Sequence, residues 1–127
     1  MQKEIISTKN APEAIGPYSQ AVIFDKLIFV SGQIPVDPKS GEVIKGNIDV
    51  QTKQALENIK SILESGGYSL QNVLRTTIFL TDINDYAVVN ETYSQYFKSS
   101  RPARSTVQVS RLPKDVHVEI DAIAGKI

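Results

Sequence analysis

Two stretches near the end of the chain alternate polar and apolar residues with a period of two, and no other feature constrains the fold as strongly. They run over 101–109 and 116–124, and such alternation is typical of strands with one packed face. The packed rows would be Ser105, Val107 and Val109 in the first strand and Val116, Val118, Ile120, Ala122 and Ala124 in the second. Arg104 and Glu119 are therefore both predicted to point to the open face of a sheet. On periodicity alone, such charges are more often surface partners than parts of a site.

The preceding residues predict further strands and two helices. Strands are expected over 3–7, 19–24, 26–31 and 73–81, with a tight turn at Asp25. A first helix would have Asp49 as its N-cap and end at Gly66-Gly67, and a second would be capped by Asp82 or Asn84. Both helices should cover the same face of the sheet, because 127 residues supply no other layer. The pattern predicts one α+β domain over residues 1–127.

Composition excludes several classes of protein. Fourteen basic and fourteen acidic residues give no net charge, so nucleic acid is not an expected partner. The absence of cysteine and the single histidine argue against a metal site, a thiol nucleophile or a Ser-His-Asp triad. No signal peptide and no membrane-spanning run of about 18 apolar residues is present, so the cytosol is the expected location.

The strand over 73–81 predicts an oligomer. Its helix-free face would carry either Val73, Arg75, Thr77 and Phe79 or Leu74, Thr76, Ile78 and Leu80. Either row leaves large apolar side chains uncovered in a monomer, and such patches usually mark an interface.

Several blocks of sequence resemble the RidA group of the Rid (YjgF) family. They are Asn10-Ala11-Pro12, Ile15–Gln20, Ser31–Pro35, Gly41-Glu42-Val43, Gln54–Asn58, Val89–Tyr93, Pro102–Ser105, Arg111–Asp115 and Val118–Ile120. Ordered blocks at compatible spacing over nearly the whole chain are a far more specific signal than one short motif. The resemblance implies a chorismate-mutase-like α+β domain, with a six-stranded mixed sheet and two helices on one face. It also implies a homotrimer with sites between subunits, and hydrolysis of reactive imines and enamines such as 2-iminobutanoate and 2-iminopropanoate to 2-keto acids and ammonia.

The same resemblance implies roles for individual residues. Arg104 would grip the substrate carboxylate at two points, which suits the planar fork of a guanidinium. Glu119 would hold and polarise the attacking water. The other implied site residues are Tyr18, which would close the pocket or donate its hydroxyl, Gly32 and Thr106, which would act through backbone N–H groups, and Ser31 and Asn90, which would make secondary polar contacts. No cofactor is expected, because a protonated imine is already electrophilic.

The chain departs from the family pattern at two positions. Thr106 stands where many relatives have cysteine, and Arg101 stands where relatives place an aromatic residue before the proline, which affects the expected side-chain preference. Rival interpretations are a non-catalytic module that binds small carboxylates, RNA cleavage (an activity also associated with the family) and a purely structural or chaperone-like trimer. Zero net charge argues against RNA cleavage.

Overall fold

A six-stranded mixed sheet forms the centre of the computed structural model, which describes residues 2–127. The strands are β1 (Glu4–Ile6), β2 (Ala21–Phe24), β3 (Leu27–Gln33), β4 (Val73–Leu80), β5 (Ala103–Gln108) and β6 (Val118–Gly125), and the helices are α1 (Ile48–Ser65) and α2 (Tyr86–Phe97). Three single turns of 3₁₀-helix span Leu70–Asn72, Ile83–Asp85 and Pro113–Asp115. The strand order is β1-β2-β3-β6-β4-β5, in which β4 and β5 run parallel and the other neighbours antiparallel.

Both helices cover the same face of this sheet, as the sequence predicts. Helix α1 buries Leu56, Ile59 and Ile62 completely, and its contacts are with β3, β6 and α2. The apolar row predicted for β6 is buried beneath the helices. The α+β architecture is therefore confirmed, including the insertion of the last strand between β3 and β4. Within residues 2–127, neither helix combines the length and apolar character needed to cross a membrane.

The helix N-termini differ from the prediction. Asn47, with extended backbone, is the N-cap of α1, and Asp49 lies inside the first turn, where a carboxylate is still favourable toward the helix dipole. The Asp82 side chain accepts a hydrogen bond from Asn84 N at 2.9 Å and so caps the short 3₁₀ turn over Ile83–Asp85. That turn leads directly into α2, so neither Asp82 nor Asn84 caps α2 itself.

The predicted orientation of β5 is wrong. In the register of the parallel pair, Arg104 lies beside Thr76 and Thr106 beside Ile78, and both β4 residues are buried under the helices. Arg104, Thr106 and Gln108 therefore share the helix-covered face, while Ser105 and Val107 lie on the helix-free face. Alternation separates the two faces of a strand but does not say which one is covered, and β5 is an edge strand whose apolar residues need not face the core.

The helix-free face is rich in exposed apolar side chains. From Arg75 onward, β4 presents Arg75, Thr77 and Phe79 on this face, which is the first of the two predicted rows, while a register shift buries Val73 and exposes Leu74. Along the sheet the face also carries the exposed side chains Ile5, Phe24, Leu27, Phe29 and Val107. Phe29 is 43% exposed and Leu74 53%.

Candidate functional site

Glu119 lies on the helix-free face, against a bulge in β3. Between Val30 and Gln33 the register with β6 shifts by one residue, so that Ser31 and Gly32 together oppose a single β6 residue. Bulges of this kind recur beside active sites, where they redirect side chains. The Glu119 carboxylate packs over Gly32: a Cβ built on Gly32 would lie 2.8 Å from Glu119 Cδ and closer still to Oε2. The carboxylate thus occupies the place that a side chain at position 32 would take, and any larger residue would displace it.

Burial of Glu119 raises its pKa above the ordinary value, and the negative charge of Asp121 raises it further. Asp121 is two residues along β6 on the same face, and its carboxylate accepts a hydrogen bond from Thr77 N at 3.1 Å. No ion pair within residues 2–127 involves Glu119. It is therefore a half-buried carboxylate without a neutralising cation, which is the environment of a group suited to exchange protons with water.

Ser31 and Tyr18 flank the same region. The Ser31 hydroxyl donates to Ser19 O at 2.6 Å, so its hydrogen atom is used to tie β3 to the loop before β2. Tyr18 is 55% exposed and lines, together with Gly32, a groove of about 540 Å³. The loop thus brings Tyr18 to the bulge without any contact between Tyr18 and Arg104.

Arg104 is held on the other side of the sheet by α2. Its Nη1 donates to Asn90 Oδ1 and its Nη2 to the Tyr86 hydroxyl, both at 2.7 Å. The guanidinium also lies over the ring of Tyr93, 4.9 Å from its centroid, at a distance that gives a cation–π interaction. The Tyr93 hydroxyl is fixed in turn by a 2.6 Å hydrogen bond with Thr76. Two of the five N–H donors of Arg104 are used, and three remain for a carboxylate.

Thr106 offers its backbone at the free edge of the sheet. Val109 N donates to Leu80 O at 2.8 Å, and N–H groups alternate sides along a strand. The N–H of Thr106, like that of Arg104, therefore points away from β4 toward the open edge. The Thr106 hydroxyl is buried and has no hydrogen-bond partner among residues 2–127.

The candidate residues thus fall into two groups on opposite faces. Arg104, Asn90 and the N–H of Thr106 belong to the β5 edge, defined here as the edge group, while Glu119, Gly32, Ser31 and Tyr18 belong to the β3 bulge, defined as the bulge group. The prediction that Arg104 and Glu119 share the open face is wrong.

The sequence analysis did not identify Tyr86 and Tyr93 as residues that contact Arg104. Tyr86 lies four residues before Asn90 and Tyr93 three residues after it, so all three side chains lie on one side of the helix. This spacing could have identified the two tyrosines as neighbours of Asn90.

The fold and these side chains define a small α+β domain with an arginine fixed by one helix at a sheet edge and an unpaired carboxylate over a bulge. The family model described as Endoribonuclease L-PSP matches residues 8–126, and the chain belongs to this family, the Rid (YjgF) family.

Two relatives and one solved structure illustrate the similarity. A RutC family protein of Pyrococcus horikoshii is 59% identical over 124 residues, 98% of each chain. The human 2-iminobutanoate/2-iminopropanoate deaminase is 52% identical over 122 residues, covering 96% of this chain and 89% of the human protein. The crystal structure of Escherichia coli TdcF with bound serine superposes with a TM-score of 0.93 at 46% identity, covering 98% of this chain and 99% of TdcF.

Proposed function

We propose that the protein is a hydrolytic deaminase that converts reactive 2-imino acids, such as 2-iminobutanoate and 2-iminopropanoate, to 2-keto acids and ammonia. The observation that carries the proposal is the pair of complementary groups: an arginine with three unused donors and a half-buried carboxylate with a raised pKa. The names of the human, bovine and goat relatives, each 52% identical, support it, and so does the serine bound to TdcF, which carries the same α-carboxylate.

The proposed site lies between two copies of the chain. Within one copy the edge group and the bulge group lie on opposite faces of the sheet, so they cannot meet around one small substrate. A homotrimer in which the helix-free faces pack around a threefold axis would cover the exposed apolar side chains of that face. It would also set the edge group of one subunit against the bulge group of its neighbour.

In the proposed mechanism, Arg104 and the N–H of Thr106 hold the carboxylate, and Glu119 holds water against the imine carbon. The carboxylate of Glu119 accepts a proton as the water oxygen bonds to carbon, and the carbon–nitrogen π electrons move to nitrogen. The nitrogen then takes this proton back from Glu119, and the carbon–nitrogen bond breaks as the hydroxyl proton returns to the carboxylate. The carbonyl forms and ammonia leaves. Placement of the two reactants is the main source of acceleration, because the substrate is already electrophilic.

A direct assay tests this function. A dehydratase would generate 2-iminobutanoate in situ, and keto-acid release would be followed with and without the protein. We expect faster release with the wild type, and a much smaller acceleration by a variant that lacks Arg104. An unchanged rate with the wild type would contradict the deaminase proposal and favour a module that only binds small carboxylates.

A further inference from the structure

A groove beside Arg104 gathers three cationic residues and no acidic one. Lys98, Arg101 and Arg104 line it, and its volume of about 510 Å³ lies within the range of small-molecule sites. Helix α2 contributes Tyr93 and Phe97 to the lining of this groove. Since the proposed substrate carboxylate occupies only Arg104, Lys98 and Arg101 in the same groove have no anionic partner among the described residues.

These cations are not neutralised by neighbouring side chains. In the part of the chain that the structure describes, the one ion pair within 4.0 Å joins Arg111 and Asp115. Like charges that share a groove raise the energy of one another, and surfaces usually mix the two signs. A cluster of one sign inside a concave surface instead concentrates a ligand of the opposite sign.

The backbone conformation at Arg101 does not favour arginine, so the turn that this residue occupies does not explain why an arginine stands there. Arg101 closes the turn that follows α2, with a left-handed φ of 46°, a conformation that glycine and asparagine adopt more easily. Pro102 follows, and a proline disfavours helical backbone in the residue before it. The side chain contributes little to the turn, because its hydrogen bond from Nε to Lys98 O is long, at 3.4 Å.

We propose that this groove is a second anion subsite, in which Arg101 with Lys98 selects 2-imino acids that carry a side-chain carboxylate. The inference rests on the proposed function, because it assumes that Arg104 holds the α-carboxylate. The side chain of a four- or five-carbon dicarboxylic substrate would then enter the groove toward Arg101. Single-stranded RNA fits less well, because Tyr93 and Phe97 are 6% and 2% exposed and cannot offer ring faces for base stacking.

Binding of stable 2-keto acids by calorimetry separates this inference from the catalytic proposal. The probes are 2-oxoglutarate and 2-oxobutanedioate, which carry two carboxylates, and 2-oxobutanoate, which carries one. For the wild type we expect at least one diacid to bind about tenfold more tightly than 2-oxobutanoate, the factor expected for one charge-assisted hydrogen bond at a partly exposed site. Increasing the salt concentration should weaken the binding of the diacids more than the binding of 2-oxobutanoate.

Arg101→Asn is the informative variant, because asparagine tolerates the left-handed backbone while removing the guanidinium. We expect it to fold normally, to bind 2-oxobutanoate as the wild type does and to lose the diacid preference. Lys53→Gln, which removes one exposed charge from α1, is the matched control and should keep the preference.

Four outcomes would overturn the inference: no diacid preference in the wild type, a preference that survives Arg101→Asn, its loss in Lys53→Gln, or displacement of the diacid by micromolar RNA oligonucleotide. A diacid preference that depends on Arg101, without any imine hydrolysis, would support the subsite and contradict the deaminase.

Discussion

Replacing Gly32 with alanine would test the role of Glu119 without changing any ionisable group. The added methyl carbon would lie 2.8 Å from Glu119 Cδ, whereas ordinary contacts begin at 3.4 Å. The carboxylate carbon must therefore retreat by about 0.6 Å, and the oxygen nearest to Gly32 must retreat further. A displacement of about 1 Å at a reacting group can cost ~100-fold in rate. We expect the turnover number of the Gly32→Ala variant to fall by about that factor, while substrate binding through Arg104 changes little.

The same substitution should leave the fold intact. The obstructing atoms are the far end of a flexible side chain, and the φ of Gly32 is not in the left-handed region. Alanine also lowers the entropy of the unfolded chain, which stabilises by roughly 0.4–1 kcal/mol where the backbone is compatible. We therefore expect a change in melting temperature of no more than about 5 °C.

Gly67→Ala is the matched control, because it should show the opposite pattern. Gly67 has a φ of +84° and lies far from the bulge, with Lys126 Nζ as the nearest neighbour of an added Cβ. It should lose roughly 1–2 kcal/mol of stability and keep wild-type turnover. The assay pairs thermal melting with in situ imine hydrolysis on the same preparations. Wild-type turnover in Gly32→Ala would refute the assignment of the water-holding role to Glu119.

Four further predictions concern the arginine, the two carboxylates and the assembly. Arg104→Lys should lower kcat/KM by roughly 10–100-fold, because lysine cannot keep a bidentate grip and a charge-assisted hydrogen bond contributes about 1.5–3 kcal/mol; activity near wild type would remove the clamp from the mechanism. Asp121→Asn should move the acid limb of kcat/KM to lower pH, because Asp121 helps to raise the pKa of Glu119 and the amide oxygen can still accept from Thr77 N; a pH profile with an unmoved limb would contradict this coupling. Glu119→Gln should lower turnover and raise the melting temperature at neutral pH, but not below about pH 4.5. The sign follows because a raised folded-state pKa makes the wild type lose stability as pH rises through the interval above the unfolded value. A difference in melting temperature between Glu119→Gln and the wild type that did not change with pH would argue against a raised pKa of Glu119. Phe29→Glu should convert the expected trimer to monomer in light scattering and abolish turnover; an active monomer would exclude a site between chains.

The elements of this fold could be predicted because each depends on local periodicity. The apolar face of α1, the alternation in β6 and the tight turn at Asp25 each depend on residues that are close in sequence, and the structure confirms all three. The face of β5 could not be predicted in the same way. Alternation in Arg104–Val109 is symmetric between core-facing and solvent-facing rows, and only the register with Thr76 and Ile78 decides between them.

The local geometry of the site depends on contacts between distant parts of the sequence. Gly32 and Glu119 are 87 residues apart and meet only because a bulge turns β3 toward β6. A glycine near the end of a predicted strand is consistent with a bulge, but nothing in the sequence specifies which side chain fills the space above it. The motif blocks predicted which residues form the site, and the structure shows the faces of the sheet on which those residues lie.

The separation of Arg104 from Glu119 makes assembly a requirement of the proposed chemistry. In a monomer, one substrate molecule could contact either Arg104 or Glu119 but not both, because the sheet lies between these two residues. The apolar side chains that would drive association lie on the same face as Glu119, so burial of that face would also desolvate the carboxylate and raise its pKa further. Specific activity should therefore fall when the protein is diluted below the concentration at which the trimer dissociates, and it should fall more steeply than the protein concentration. A specific activity that stayed constant down to concentrations at which light scattering reports monomers would require both groups to act within one chain, which the observed register does not allow.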